Sequence, residues 1–440
     1  MKAGNARRRR EHHCAALFIG AVASGQGKTA VTAALARHHA REGRRVRVFK
    51  TGPDFLDPKI LERASGSPVY NLDCWMVGVE PSRALLSQAS RDADLILIEG
   101  AMGLYDGEPS GADLARTFGV PVAAVIDASA MAQTFGAVAH GLQRYRRVPF
   151  AGVIANRVAG EGHAAMLAKS LKPSLPLLGA LPTLDGLLPE RHLGLVQAEE
   201  LADLDAALDR LADAVRASGL TTLPPPVKFD YAEPLAPERA LLGRTIAVAR
   251  DVAFSFIYPA NLTCLSDMGA TLRFFSPLAD DPVPASDALY LPGGYPEVHA
   301  GRLAGNTRWR QSLAEYAAAG RPIVAECGGL MALVEKLVTR DGATYSMAGL
   351  LPGSVRMRGR LAAIGLQSLR LPQGELRGHT FHYSELETSL SPLARCVPHR
   401  YGAGEYCYRK GAITASYLHA YFASNPAVVA GLFAPEGAVV

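Results

Sequence analysis

The chain has 440 residues, of which 49% are hydrophobic and 20% charged, with a net charge of +5. That length exceeds the size at which one hydrophobic core usually stops growing, so two domains are expected, and the composition excludes a largely disordered chain. The small positive balance owes much to Arg7-Arg8-Arg9-Arg10, which reads as a solvated tail, so neither nucleic acid nor a membrane is expected as a partner.

From the amino terminus, the arginine run followed by Ala15-Ala16-Leu17-Phe18-Ile19 imitates a signal peptide. The apolar run leads straight into Gly25-Gln26-Gly27-Lys28-Thr29, and cleavage after Ala23 would sever that loop from the strand that must hold it. No other apolar stretch approaches the roughly eighteen residues needed to span a bilayer. The six cysteines are scattered and form no CxxC pair, which argues against a zinc ribbon or a disulfide framework and for a reducing cytoplasm.

Short apolar runs then alternate with helical patterns: Ala15 to Val22, Val46 to Lys50, Asp94 to Ile98, Val120 to Ile126 and Gly152 to Asn156. Runs apolar on both faces imply an α/β domain with a parallel sheet covered by helices. After the first strand, Ser24-Gly25-Gln26-Gly27-Lys28-Thr29 and the helical pattern Ala30 to Glu42 follow the strand, loop, helix order of a phosphate loop. Ser24, Gly25, Gln26 and Gly27 would turn backbone amides toward phosphate oxygens. Lys28 would reach the outer phosphates, and Thr29 would hold Mg²⁺ at the positive end of the helix. The loop departs from the strict GxxxxGKT pattern, because its first glycine is replaced by Val22.

The second and third strands end in Lys50-Thr51-Gly52-Pro53-Asp54-Phe55-Leu56-Asp57 and in Glu99-Gly100-Ala101-Met102-Gly103-Leu104-Tyr105-Asp106. Ligands of doubly wound sheets gather at such carboxyl ends. Asp54, Asp57, Glu99 and Asp106 are thereby delivered to the rim that holds the loop. Any one alone reads equally as a turn or helix cap. Together, beside ATP, they could bind Mg²⁺, with Thr29, Asp54 and Glu99 as its ligands, and position an anionic acceptor near the γ-phosphate. Lys28, Lys50 and the metal would offset the repulsion.

The segment Ala198 to Ala217 reads as a helix with Leu201, Leu204, Leu208 and Leu211 on one stripe. Pro224-Pro225-Pro226 and the poorly periodic stretch through Pro237 then break the pattern. This places a first domain at residues 14–223, a linker at 224–241 and a second domain at 242–440.

The second domain opens another alternating series at Thr245 to Ala249, Thr271 to Phe275, Ala288 to Leu291 and Pro322 to Ala325, again α/β. Ile323-Val324-Ala325-Glu326-Cys327-Gly328-Gly329 runs from strand through cysteine into small residues, the sharp turn that exposes a nucleophile. The amide of Gly328 would face the oxyanion formed when the thiolate attacks an amide carbonyl, and Gly294, in Leu291-Pro292-Gly293-Gly294-Tyr295-Pro296-Glu297, offers a second donor. Of His379, His382, His399 and His419, the last is favoured as the partner of Cys327, because it ends the strand-like Thr414 to Leu418. His382 reads equally as a substrate or interdomain contact and as a structural histidine.

These residues resemble a known family, the cobyrinic and hydrogenobyrinic acid a,c-diamide synthases. SGQGKT, FKTGPDFLDP, EGAMGLYDG, PERHLGLVQ at Pro189 to Gln197, LPGGYPE, ECGG, GHTFHYSE and SYLHAYF occur in family order from about Ala15 to Phe422. The resemblance implies a dethiobiotin-synthetase-like amino-terminal domain carrying the ATP and corrin sites, and a class I-like glutamine amidotransferase domain. It also implies ATP-dependent activation of the a and c acetate carboxylates of a corrin ring as acyl phosphates, followed by amination with ammonia from glutamine. Asp54, Asp57, Glu99 and Asp106 take roles in carboxylate activation, Cys327 is the nucleophile, and His419 raises its nucleophilicity. Glutaminases of the broader class usually carry a carboxylate two positions after the histidine, and His419-Ala420-Tyr421 has none, so something else must orient the imidazole.

Because acyl phosphate and ammonia are both lost to water, a shielded path between Cys327 and the carboxylate rim is expected. The corrin macrocycle, glutamine and ATP are the expected small-molecule partners, and a homodimer is left open. Cobyric acid synthase and nickel-sirohydrochlorin a,c-diamide synthase are the enzyme alternatives. A partitioning ATPase is the non-enzyme one, although its signature lysine five positions before Lys28 is Ala23 here.

Overall fold

The computed structural model describes residues 11–183, 190–191, 194–195, 197–201, 203–233, 236–400 and 402–435. The Arg7 to Arg10 run lies outside them, as do residues 189, 192, 193 and 196 of the Pro189 to Gln197 motif. The chain divides into two compact units between residues 235 and 236. Among the described residues no helix is long and apolar enough to cross a membrane.

In the first unit, β1 (Glu11–Ala21), β2 (Val46–Thr51), β3 (Tyr70–Leu72), β4 (Leu95–Glu99), β5 (Val122–Asp127), β6 (Phe150–Val158) and β7 (Leu177–Pro182) form a parallel sheet in the order β3-β2-β4-β1-β5-β6-β7. Alternating side chains feed two cores. Phe18, Phe49 and Ile98 face one side with Phe118 and Phe135, and Ile19, Val48 and Leu97 face the other with Val31, Leu35 and Leu208. A strand buried on both faces has no polar side to show, which is why these runs read as continuously apolar.

Two expectations need correction here. Part of the expected linker, Pro226–Asp230, is a strand that pairs antiparallel with the first residues of β1. This explains why β1 begins at Glu11, four residues before its apolar run. The helix expected from Ala198 begins at Leu204 and ends at Ala217, so Leu201 lies outside it. That helix packs on α1 (Lys28–Arg41), with Arg37 bonded to Asp209 at 2.7 Å and Arg41 to Asp213 at 3.2 Å.

The second unit has a central sheet ordered Thr271–Phe275, Thr245–Ala249, Ala288–Leu291, Ile323–Glu326, Ile413–Ser416, Tyr406–Lys410, Pro392–Arg395. The first five strands are parallel, and the last two pairings are antiparallel. Two small sheets built from residues 334–420 accompany it. The strand expected over Thr414 to Leu418 ends at Ser416, and His419–Ala420 pairs instead with Gly374–His382 in one of the small sheets. The chain therefore changes sheets immediately before the histidine.

Gly136, in the helix Thr134–Arg144, tests how tightly the first unit is packed, because a Cβ there would lie 2.1 Å from the Ser170 carbonyl oxygen. Alanine is intrinsically about 1 kcal/mol better than glycine in a helix. The overlap with backbone should nevertheless outweigh that gain, and Gly136→Ala is expected to destabilise the unit by about 1–2 kcal/mol. The shift of the urea-denaturation midpoint measures it, and a midpoint raised by the substitution would contradict the packing described.

Candidate active sites

The phosphate loop leaves β1 at Ala21 and enters α1 at Lys28. Gly25 and Gly27 adopt φ of 76° and 87°, conformations open chiefly to glycine. Gly27 has a second constraint, since a Cβ would lie 2.2 Å from Asn156 Nδ2. Asn156 donates to the Gln26 carbonyl at 3.0 Å, and Gln26 Oε1 accepts from the Asp127 amide at 3.0 Å. The ends of β5 and β6 thus set the loop's shape, while Ser24 stays exposed. The Lys28 ammonium folds back onto the carbonyls of Ala23 at 3.0 Å and Met102 at 2.7 Å. Burial and the nearby Lys50 lower its pKa, against the pull of Glu99, Asp57 and Asp106.

Beside the loop, Lys50 Nζ is the centre of a buried cluster. It donates to Asp57 Oδ2 at 2.6 Å and Glu99 Oε1 at 2.6 Å, and lies 3.5 Å from Asp54 Oδ2. Burial alone would lower its pKa, but the three carboxylates outweigh that and hold it well above the usual lysine value. One cation cannot balance three anions. Burial and Asp57 push the Asp54 carboxyl up to about 7, and burial, with Asp57 contributing, also raises Glu99. Burial works against ionising Asp57 too, yet the Lys50 ammonium wins and holds it below the ordinary range. Asp54 Oδ1 meanwhile accepts from the Leu56 amide at 2.9 Å. It therefore caps the helix Leu56–Ser65 with one oxygen and faces Lys50 with the other.

Thr29 Oγ1 donates to Glu99 Oε1 at 2.9 Å, which ties the loop to this cluster. Glu99 Oε2 is fully buried and has no hydrogen-bond partner. A buried carboxylate oxygen left without a donor, next to a threonine hydroxyl, fits a cation shared with phosphates. Among the described residues no group of three His, Cys, Asp or Glu side chains could hold a metal unaided. Asp106 stands apart from Lys50. Its Oδ2 accepts from the Gly103 amide at 2.9 Å and shapes the turn after β4, with its charge still felt at Lys28.

In the second unit, Cys327 follows the strand Ile323–Glu326 and precedes the helix Gly328–Leu333. Its backbone sits at φ 44°, ψ −102°, a conformation that costs a non-glycine residue about 1–3 kcal/mol and is found where a side chain must be aimed. The Cys327 amide donates to the Ser416 carbonyl at 2.8 Å. Gly328 and Gly294 abut so closely that a Cβ on Gly328 would lie 2.8 Å from the Gly294 nitrogen. The two expected oxyanion donors are therefore neighbours. Burial pushes the thiol up, Glu297 adds to the rise, and the Gly328 amide opposes it.

His419 is 1% exposed and lies against Gly293, the residue before Gly294, since a Cβ on Gly293 would sit 2.2 Å from its Cε1. Burial, then His379 and His382, lower its pKa to about 3. The resting site is thus a neutral thiol and a neutral imidazole. His379, paired across the sheet with His419, is also held neutral by burial, at about 4. His382 Nδ1 donates to the Ser384 carbonyl at 2.8 Å, its Nε2 pairs with Glu405 Oε1 at 2.9 Å, and the ring stacks on Tyr417 at 3.9 Å. That network engages both ring nitrogens within the unit.

Several residues assigned no role from the sequence lie beside these sites. Asn156 and Asp127 brace the phosphate loop, Glu297 contributes charge beside Cys327, and Glu326 lies buried one residue before it. Glycine spacing in the loop pointed to a close approach, but nothing in the sequence identified the side chain that makes it.

Residues 17–196 match the CobQ/CobB/MinD/ParA nucleotide binding domain family, and residues 245–427 match the CobB/CobQ-like glutamine amidotransferase domain family. The chain is 57% identical over 425 residues to a hydrogenobyrinate a,c-diamide synthase of Pseudomonas aeruginosa, covering 96% of this chain and 98% of that protein. It is 58% identical over 426 residues to a protein of the same name from Stutzerimonas stutzeri, covering 96% and 99%. A cobyrinate a,c-diamide synthase of Herminiimonas arsenicoxydans is 53% identical over 424 residues, covering 96% and 97%.

The charge balance around Lys50 has a measurable consequence. Asp54 titrates at about 7 instead of the usual 3.8, so it holds a proton below that pH and loses it above. If a metal-bound nucleotide needs the ionised form, binding releases that proton, and affinity for Mg·ATP should rise with pH through about 7, by at most about tenfold per pH unit. Calorimetric titration at several pH values measures this. Asp54→Asn should bind more weakly with a flattened pH dependence, and an unchanged profile in the variant would place the titration elsewhere.

Proposed function

The chain belongs to the hydrogenobyrinate and cobyrinate a,c-diamide synthase family, and from that premise we propose how its two units divide an ATP-dependent, glutamine-dependent amidation. The observation that carries the reading is the presence in one chain of a cysteine elbow beside two abutting glycine amides and of a phosphate loop tied through Thr29 to a carboxylate and lysine cluster. A carboxylate does not accept ammonia directly, because oxide is a poor leaving group, whereas an acyl phosphate carries a good one. An ATP site and an ammonia source therefore belong together.

In the glutaminase unit, Cys327 Sγ attacks the side-chain amide carbon of glutamine. His419 accepts the thiol proton and passes it to the departing nitrogen, so that ammonia leaves and a thioester remains. The Gly294 and Gly328 amides donate to the oxygen that becomes negative in that step. Water then hydrolyses the thioester to glutamate.

In the other unit, a ring acetate carboxylate attacks the γ-phosphorus of ATP, ADP leaves, and ammonia displaces phosphate from the resulting acyl phosphate. Ser24, Gly25, Gln26 and Gly27 cradle the phosphates, and Lys28 gives up its carbonyl partners to bind them. Mg²⁺ held by Thr29, Asp54 and Glu99 would supply charge neutralisation at the phosphates. Lys50 keeps the carboxylates from repelling the incoming acetate, Asp57 fixes Lys50, and Asp106 holds the turn that meets the loop. The names of the two relatives near 57% identity support the cobalt-free ring as the substrate.

Mass spectrometry after incubation with ATP, Mg²⁺, glutamine and either hydrogenobyrinate or cobyrinate counts the amidations. A gain of two amides on one of these rings is expected, and no mass change on either would refute the assignment. Cys327→Ala should lower glutamine-driven amidation by roughly three orders of magnitude while leaving ammonia-driven amidation within about twofold. Loss of both would make the cysteine structural.

A further inference from the structure

The family's motif leaves the imidazole of His419 without the usual carboxylate two positions on, and the structure offers another. Glu326 is 5% exposed, one residue before the nucleophile. Its Oε1 accepts from the backbone amide of Ala420, the residue after His419, at 3.0 Å, and its Oε2 accepts from Tyr290 Oη at 2.7 Å. Tyr290 lies on the neighbouring strand Ala288–Leu291 and is fully buried. Asn261, 1% exposed, completes the grip by donating to the Ala420 carbonyl at 2.8 Å and accepting from the Phe422 amide at 2.8 Å.

We infer that Glu326 is the positioning residue of the glutaminase, fixing His419 through the Ala420 backbone from the same strand end that presents Cys327.

The inference rests on the proposed roles of Cys327 and His419. The chain leaves the central sheet at Ser416 and enters a small sheet at His419. At this crossing the ladder that holds the histidine is short, two residues opposite Gly378 and His379. The Glu326 carboxylate spans the crossing. Because it is covalently next to Cys327, any shift of the nucleophile's strand moves the histidine's anchor with it, which keeps the pair in register. Gly293 closes on the imidazole itself, since any Cβ would overlap its Cε1. The residue is therefore limited by a clamp on its backbone and a glycine wall at its ring. A carboxylate that bonded the ring directly would change its basicity, whereas one acting through the backbone fixes place alone.

The test measures glutamate release and ammonia-driven amidation in the full chain. Glu326→Gln keeps an oxygen for the Ala420 amide and an amide group that Tyr290 Oη can accept from, so its glutaminase kcat should stay within about threefold of the unmodified protein. Glu326→Ala and Glu326→Asp both withdraw the acceptor from Ala420. The aspartate, one methylene shorter but still a carboxyl, serves if the alanine variant does not fold. Each should lose about 10- to 100-fold in glutaminase kcat, with KM for glutamine within about threefold, as expected when a catalytic group is misplaced and substrate contacts are kept. Ammonia-driven amidation should be unchanged in all three.

Unchanged kcat in the alanine or aspartate variant would overturn the inference. So would a glutamine variant as impaired as the alanine, which would make the carboxyl itself and not its acceptor oxygen the active feature, or a parallel fall in ammonia-driven activity, which would mean a general structural role. If the unmodified protein amidates with ammonia but releases no glutamate, the assignment of Cys327 and His419 falls first, and this inference with it.

Discussion

Parallel strands impose one constraint on both units: each must return through a helix or crossover, so every strand's carboxyl end opens onto the same edge of its sheet. At that edge the backbone runs out of ladder partners, and side chains and turns must supply them. In the first unit this brings Val22 to Lys28, Lys50 to Asp57, Glu99 to Asp106 and Asp127 together with Asn156 onto one rim. In the second it brings Gly293, Cys327 and the chain beyond Ser416 side by side. The chemistry in each unit is a consequence of strand order. The strands β1, β2 and β4, and in the second unit Ala288–Leu291 and Ile323–Glu326, carry the decisive residues at their ends.

The two rims handle burial in opposite ways. Around Lys50 charges are kept, because a lysine with three carboxylates within 3.5 Å provides both the counter-charge and the hydrogen bonds that burial demands. The balance is incomplete by design of the residue set: the surplus negative charge appears as the raised Asp54 and Glu99 and as an oxygen of Glu99 without a donor. Such a cluster is suited to receiving a cation and a polyphosphate. Around Cys327 no counter-charge is supplied, and burial drives thiol and imidazole to their neutral forms.

Much of this was legible in the sequence because it depends on local pattern. Apolar runs gave the parallel strands, Gly25 and Gly27 before Lys28 gave the loop, and Gly328 and Gly329 after Cys327 gave the elbow. What escaped depends on contacts between distant segments. The strand Pro226–Asp230 has prolines before it and little periodicity, and only its pairing with β1 makes it a strand. The histidine's strand looked continuous with Thr414 because nothing local marks the change of sheet at Ser416. Glu326 was quoted as part of its motif without a role, since a carboxylate inside an apolar strand makes sense only once Tyr290 and the Ala420 amide are placed beside it.

That carboxylate also bears on how the proposed glutaminase chemistry is driven. Where a carboxylate bonds the imidazole directly, it raises the ring's basicity and favours the thiolate before substrate arrives. Here the carboxylate is spent on the backbone, and burial with His379 and His382 leaves the imidazole a weak base at about 3. A weak base beside a thiol held high generates little thiolate by itself, so more of the barrier must be lowered where negative charge appears on the substrate oxygen. The site is arranged for that, with Gly294 and Gly328 pressed together beside Cys327. Donors preorganised in a dry pocket act more strongly than they would in water and need no reorganisation as charge develops. Catalysis by this pair would then rest on placement and on the oxyanion donors more than on the strength of its base, and a rigid clamp on His419 is the feature such a mechanism requires.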